Sequence, residues 1–186
     1  MLTAVLFGLA ASSALVVGAA VGSRWDPPEY VTAILLAFAS GALISALSFE
    51  LVEEAYELGG TARTGIGLLA GAATFVIADT ALERSTAGAS TPRESAQGGA
   101  GPAVGGALLA GVTLDGVPEN LALGVSLVEG ASAALLLAIF FSNLPEALVG
   151  AVAMRQGGRS PRSVVAIWLA CAVALALAVV LGRALA

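Results

Sequence analysis

Two short motifs place acidic residues inside apolar stretches of the chain. The first covers residues 115–120 (DGVPEN) within an apolar run of residues 103–127, and the second covers residues 142–146 (SNLPE) in the next apolar run. In each motif a polar residue precedes a glutamate by four positions, so the two side chains share one helix face. Because ionisable side chains are costly in an apolar segment, they usually face a cavity or a partner and indicate a functional site.

Three carboxylates carry the chemistry of these motifs: Asp115, Glu119 and Glu146. In a low-dielectric environment they cannot all stay ionised without a cation, so the pattern predicts a cation or proton site. The alternative is that buried acids merely pair or hydrogen-bond between helices, although no arginine lies in the predicted core of any helix. Further oxygen ligands could come from three neighbouring polar side chains: Asn143, Ser142 and Asn120.

Two of these assisting residues have other plausible uses, which the sequence leaves open. Ser142 could instead bond a carbonyl of its own helix, a common habit of serine in membrane helices. Asn120 could cap the local break at Pro118, which lacks an amide donor. Gly116 and Gly124 are predicted to serve close helix packing or the kink at the proline.

The composition is that of an integral membrane protein. Of 186 residues, 58% are hydrophobic and 11% are charged, whereas a soluble domain carries roughly 25% charged residues. The eight basic residues are all arginine and the chain has no histidine, which removes the commonest transition-metal ligand. The sequence has no basic patch, so nucleic-acid binding is disfavoured. Cys171, the single cysteine, cannot form an intrachain disulfide and is predicted to pack in an apolar core.

The hydrophobic pattern predicts an all-α, polytopic bundle of six transmembrane helices in a single transmembrane domain, residues 1–186. Helix one is expected over residues 2–22, as a membrane helix that is kept in the protein and not cleaved as a signal peptide. Pro27 and Pro28 lie in the turn that follows. A Gly-, Ser- and Pro-rich segment over residues 83–102 is typical of a flexible loop. Small residues in helix two, which is predicted over about residues 30–56, indicate close contact with another helix: Ser40, Gly41 and Ser45. A homodimer stays open.

The end of helix two is acidic, with glutamates at 50, 53, 54 and 57 forming one helical stripe. Glu50 and Glu54 lie nearest the apolar part of the helix and suit a cation-attracting entrance. The alternative is a solvated helix end, which fits Glu53 and Glu57 better. Asp79 lies near the end of helix three, which is predicted over about residues 64–82. It could help the cation leave on the inner side, or it could be an acid at the membrane interface without a role in transport.

Arginine placement predicts the orientation in the membrane. With the N-terminus outside, six arginines fall on the inner side and two, Arg63 and Arg183, on the outer side. The membrane is expected to be the cell membrane. Asp115 then lies about 12 residues into helix four, roughly 18 Å from the inner end at 1.5 Å per residue. Ser142 lies about as far into helix five from the outer end, so the two motifs are expected to meet near mid-depth.

These motifs resemble those of the ZIP family of divalent metal transporters. Helix four of that family carries His-Asn-x-Pro-acid-Gly where this chain reads DGVPEN, and helix five carries His-acid-x-Pro-His-or-Glu where this chain reads SNLPE. Residues 121–124 (LALG) look like the small-residue continuation of helix four in the family. The end of helix two is similar too, with Glu50 where the family often has histidine and a matching Glu54-Ala55. The resemblance covers nearly the whole chain, including the long inner loop.

The resemblance implies a transporter that carries a divalent metal ion as its substrate into the cytosol, with Zn, Mn or Fe as candidates, and no enzymatic activity. The chain departs from the family in three respects. Asp115 and Ser142 replace both motif histidines, Gly116 replaces the asparagine, and six helices are predicted where the family has eight. Two alternatives therefore stay open: a non-transporting relative that senses or assembles with a partner, and an intramembrane enzyme using Asp115 and Glu119 as an acid–base pair.

Overall fold

The computed structural model describes residues 1–85, 102–128, 130 and 132–186, and the part it describes is helical without a strand. The all-α prediction is confirmed to that extent. Residues 86–101 of the predicted loop, and Glu129 in the next turn, lie outside the described residues. The elements in chain order are α1 (Leu2–Gly22), α2 (Glu29–Ala46), a π-helical stretch (Leu47–Val52), α3 (Glu53–Ser85), α4 (Pro102–Ser126), α5 (Ala133–Gln156) and α6 (Pro161–Leu185).

Four helical stretches are long and apolar enough to cross a membrane, by length and composition within the described residues. They are Leu2–Gly22, Glu29–Ala81, Ala133–Gln156 and Pro161–Leu185. The second of them has 53 residues, far more than the about 20 that one crossing needs. Its helix breaks at Gly60, where φ is 69°, a conformation that glycine adopts without steric cost. Residues on both sides of Gly60 line one cavity, so the chain turns back there.

The packed core lies among α1, α4, α5 and α6. Trp168, Leu15 and Leu175 are fully buried in it. Cys171 belongs to the same cluster and lies 3.6 Å from Thr113 Oγ1, so its predicted packing role is confirmed. Arg155 of α5 pairs with Asp26 in the turn after α1, at the end of the bundle that the arginine placement predicts to lie inside. That contact places the end of α1 and the end of α5 on the same side of the bundle.

The crossing of α4 and α6 depends on a reciprocal pair of glycines. A Cβ on Gly124 would collide with the carbonyl oxygen of Val179, and a Cβ on Gly182 would collide with the carbonyl oxygen of Leu121. A Cβ on Gly116 would lie 2.7 Å from Leu175 Cδ1. The packing role predicted for Gly116 and Gly124 is therefore confirmed, and it brings the first acidic motif against α6.

We expect Gly124→Val to lower the free energy of unfolding by about 1–3 kcal/mol or more, because the added side chain forces the two backbones apart. Thermal unfolding in detergent micelles measures the effect. Gly65→Val is the matched control, since nothing lies within 4 Å of a Cβ at Gly65. An equal loss of stability in the two variants would contradict the close α4–α6 crossing.

The close helix contact predicted for Ser40, Gly41 and Ser45 is not made at Gly41 within the single chain. All three residues are exposed, and nothing lies within 4 Å of a Cβ at Gly41. The reason is that α2 packs through a different face, which buries Ala39. Phe38 on α2 meets Phe141 on α5 edge to face, with ring centroids 5.7 Å apart. This edge-to-face contact joins α2 to α5, and Ser45 lines a cleft that α2 shares with Leu137 and Phe141 of α5.

Candidate cation site

A cavity of about 1010 Å³ lies between α2 with its π-helical stretch, α3, α4 and α5. Its α4 wall carries Asp115 and Glu119, and its α5 wall carries Ser142 and Glu146. Both helices continue through their internal prolines, Pro118 and Pro145. The structure therefore brings the two acidic motifs, which lie about 27 residues apart in the chain, to one space.

The carboxylates that line this cavity are close enough to interact electrostatically. Glu119 is repelled by both Glu146 and Asp115, and Asp115 is also repelled by Asp79 of α3. Glu119 Oε1 is buried and has no hydrogen-bond partner. Such an oxygen costs folding free energy, because a buried polar atom without a hydrogen-bond partner has lost its hydration. An arriving cation would compensate that cost.

Ser142 and Glu146 form a local pair on α5. Ser142 Oγ donates a hydrogen bond to Glu146 Oε1 at 3.3 Å, as the shared helix face requires. The alternative in which Ser142 bonds a carbonyl of its own helix is therefore wrong in this arrangement. The hydroxyl thus holds one of the two carboxylate oxygens of Glu146 in place.

The two asparagines lie behind the cavity wall. Asn120 is 0% exposed and Asn143 is 1% exposed. Asn120 Nδ2 donates to the Gly116 carbonyl at 2.8 Å, whereas the carbonyl that Pro118 leaves without its amide is that of Leu114, so this bond does not cap the break at the proline. Asn120 Oδ1 and Asn143 Nδ2 have no hydrogen-bond partner. In this arrangement both asparagines are part of the α4 and α5 packing, and neither lines the cavity.

The acidic end of helix two is separate from this group. Glu50 and Glu54 line a second cavity of about 520 Å³, together with Glu53 and Glu57. Glu50 lies in the π-helical stretch, and its Oε2 accepts a hydrogen bond from Ser132 Oγ at 2.5 Å. The Ser132 hydroxyl also caps α5 by accepting from the Leu135 amide. The acids at residues 50–57 thus lie beside the start of α5, where the predicted entrance stays a prediction.

Three lining or neighbouring residues were not identified from the sequence as part of this site. Arg63 and Thr64 line the large cavity from α3. Thr64 Oγ1 is buried without a hydrogen-bond partner, and nothing in its sequence context indicated a role. Asp79 gave a usable signal, since it is an acid in an apolar helix, but its proximity to Asp115 depends on how α3 returns after Gly60.

The acids of α4 and α5 line a cavity and do not form a closed set of metal ligands. Among the residues that the structure describes, no group of three or more His, Cys, Asp or Glu side chains is arranged so that it could hold a metal ion. The carboxylates of α4 and α5 instead face a space wide enough for a cation that keeps part of its water. Comparisons with protein-family models, with curated proteins and with solved structures find no match to the chain.

Proposed function

We propose that this chain carries divalent metal cations across a membrane, as a ZIP-like transporter with six membrane-spanning helices. The observation that carries the proposal is the cavity whose α4 and α5 walls bear Asp115, Glu119 and Glu146 inside apolar helices. Acids at such positions are rare because they are costly, and they commonly mark ion pathways. The substrate is a divalent ion such as Zn²⁺, Mn²⁺ or Fe²⁺, taken up by oxygen ligands.

The unpartnered oxygen of Glu119 supports a cation rather than a structural role for these acids. In a purely structural arrangement each carboxylate would accept hydrogen bonds or pair with a base, since buried polar groups are almost always satisfied. Among the described residues, Glu119 Oε1 has neither. Ser142 assists by holding Glu146, while Asn120 and Asn143 support the wall from behind.

A cation that keeps some water suits transport. Passage requires binding that is favourable enough for entry and weak enough for release. Carboxylates spread along a cavity meet that requirement better than a closed shell of ligands. In this proposal Glu50 and Glu54 raise the local cation concentration at the outer mouth, since acid-lined clefts attract cations.

Uptake of Mn²⁺ and Zn²⁺ into liposomes that contain the purified protein tests the proposal. Metal flux above that of empty liposomes supports the transporter. Binding without flux would favour a sensor or assembly protein, and substrate turnover without flux would favour the intramembrane enzyme. A dye trapped inside the liposomes reports the metal that enters, and an ionophore control sets the full signal.

The proposed topology has the N-terminus and the Gly60 turn outside, with residues 86–101 inside. We expect a membrane-impermeant thiol reagent added outside whole cells to label Thr61→Cys and to miss Ser90→Cys, both in a background with Cys171 replaced. Thr61 is exposed and avoids the positive φ of Gly60. The reverse labelling pattern would invert the orientation and, with it, the proposed direction of transport.

A further inference from the structure

The two sides of the large cavity differ in chemistry. The α4 and α5 side presents acids at three positions and the Ser142 hydroxyl. The side formed by α2, the π-helical stretch and α3 is mostly aliphatic and aromatic. Its apolar lining includes Leu43, Leu47, Leu51, Leu68, Phe75 and Ala72. A cavity with one anionic wall and one apolar wall is amphipathic.

The size of this cavity exceeds what a metal ion requires. Its volume of about 1010 Å³ lies at the upper end of pockets that hold drug-sized ligands, which range over roughly 300–1000 Å³. A single ion with its first shell of water would contact only the acidic wall. The space beside the leucines and Phe75 would then hold nothing that contacts them. The apolar wall therefore suits a larger body than the metal.

Charge decides which kind of larger body fits. Asp115, Glu119 and Glu146 face the space from one side, and Arg63 lines the α3 end next to the Gly60 turn. Three carboxyl groups against one guanidinium make the lining acidic, which favours a cation over a neutral or anionic molecule. Glu119 Oε1 is a buried acceptor without a partner, which a cation near this wall would stabilise.

We propose that the cavity binds amphipathic organic cations, with the cationic centre at the carboxylates of α4 and α5 and the apolar body against α2 and α3. This ligand class is distinct from the metal substrate and does not depend on metal transport. Electrostatic complementarity supplies the selection for positive charge, and burial of the apolar body contributes to affinity through the hydrophobic effect.

Two probes of the same shape and opposite charge test the proposal directly. Tetraphenylphosphonium and tetraphenylborate carry the same four phenyl groups on a cationic and an anionic centre. Equilibrium dialysis against the purified full chain in detergent micelles measures the binding of each. We expect saturable, one-to-one binding of the phosphonium, and at least roughly tenfold weaker binding of the borate, since close charge pairs contribute on the order of a kcal/mol or more.

Glycines on α3 provide a matched pair of variants. Gly71 lines the cavity whereas Gly65 does not, and nothing lies within 4 Å of a Cβ at either position. Gly71→Leu adds bulk at the apolar wall without touching a carboxylate. We expect Gly71→Leu to weaken phosphonium binding about tenfold, while Gly65→Leu keeps the affinity of the parent and shows that bulk on α3 alone does not matter.

The outcomes separate this proposal from metal transport. Equal binding of phosphonium and borate would overturn the proposal and indicate a cavity filled by apolar groups regardless of charge, such as lipid tails. Equal phosphonium affinity in Gly71→Leu and the parent would place the cation elsewhere and overturn it too. Phosphonium binding without any Mn²⁺ uptake would contradict the proposal of metal transport and would still support the organic-cation site.

Discussion

Replacing Glu119 and Glu146 together by glutamine is expected to reduce Mn²⁺ uptake by liposomes containing the protein by about 100-fold or more, to the level of empty liposomes. Loss of an outer-shell partner of a metal typically costs about 10–100-fold, and these two residues would contact the ion directly. Both line the large cavity. Uptake is measured at fixed ionic strength, because screening changes the attraction of cations to acids.

Glu53→Gln with Glu57→Gln is the matched control, since it removes the same charge from two exposed acids of the second cavity. We expect it to retain most of the uptake. A fall of uptake to background in the control as well would mean that net negative charge, rather than the α4–α5 acids, drives transport.

The same double variant also separates a functional from a structural role through its stability. Glu119 Oε1 is buried without a partner and a glutamine oxygen at 146 can still accept from Ser142, so the double change loses none of these hydrogen bonds and removes the repulsion between two acids. Thermal stability should therefore stay level or rise while uptake disappears. A structural pair of acids would show the opposite, with stability falling along with uptake.

The sequence was informative wherever periodicity or residue type alone decides the structure. The helix over residues 2–22 and the turn with Pro27 and Pro28 follow from an apolar run and from proline. Glu119 and Glu146 were identifiable because an acid within an apolar helix stands out in the sequence, whichever face of the helix it lies on. The packing roles of Gly116 and Gly124 followed from their place on the same helix.

Contacts between distant parts of the chain could not be predicted in this way. The bond from Ser132 to Glu50 joins residues 82 positions apart, and the π-helical stretch around Glu50 has the same apolar pattern as an α-helix. The free face at Gly41 was misassigned because small residues permit close packing without requiring it. For the same reason the burial of Asn120 and Asn143 behind the wall depends on how α4 and α5 cross, which periodicity does not specify.

Metal preference gives the most specific test of which residues meet the ion. The predicted ligands are all oxygens, since the chain has no histidine and its one cysteine is buried in the core. Carboxylate and amide oxygens suit Mn²⁺, whereas Zn²⁺ usually takes nitrogen or sulfur as well. We therefore expect the parent to show a weaker preference for Zn²⁺ over Mn²⁺ than a site that contains imidazole.

Asp115→His combined with Ser142→His is expected to shift competition between Zn²⁺ and Mn²⁺ towards Zn²⁺ by roughly tenfold, because it adds two imidazole nitrogens at positions that line the cavity on α4 and α5. The measurement is the concentration of each metal that displaces the other from the purified protein. Thr61→His with Arg162→His serves as the control, since both positions are exposed, and it should leave the ranking unchanged. If the Asp115 and Ser142 variant ranks the two metals as the parent does, those positions do not contact the ion and the proposed site is wrong.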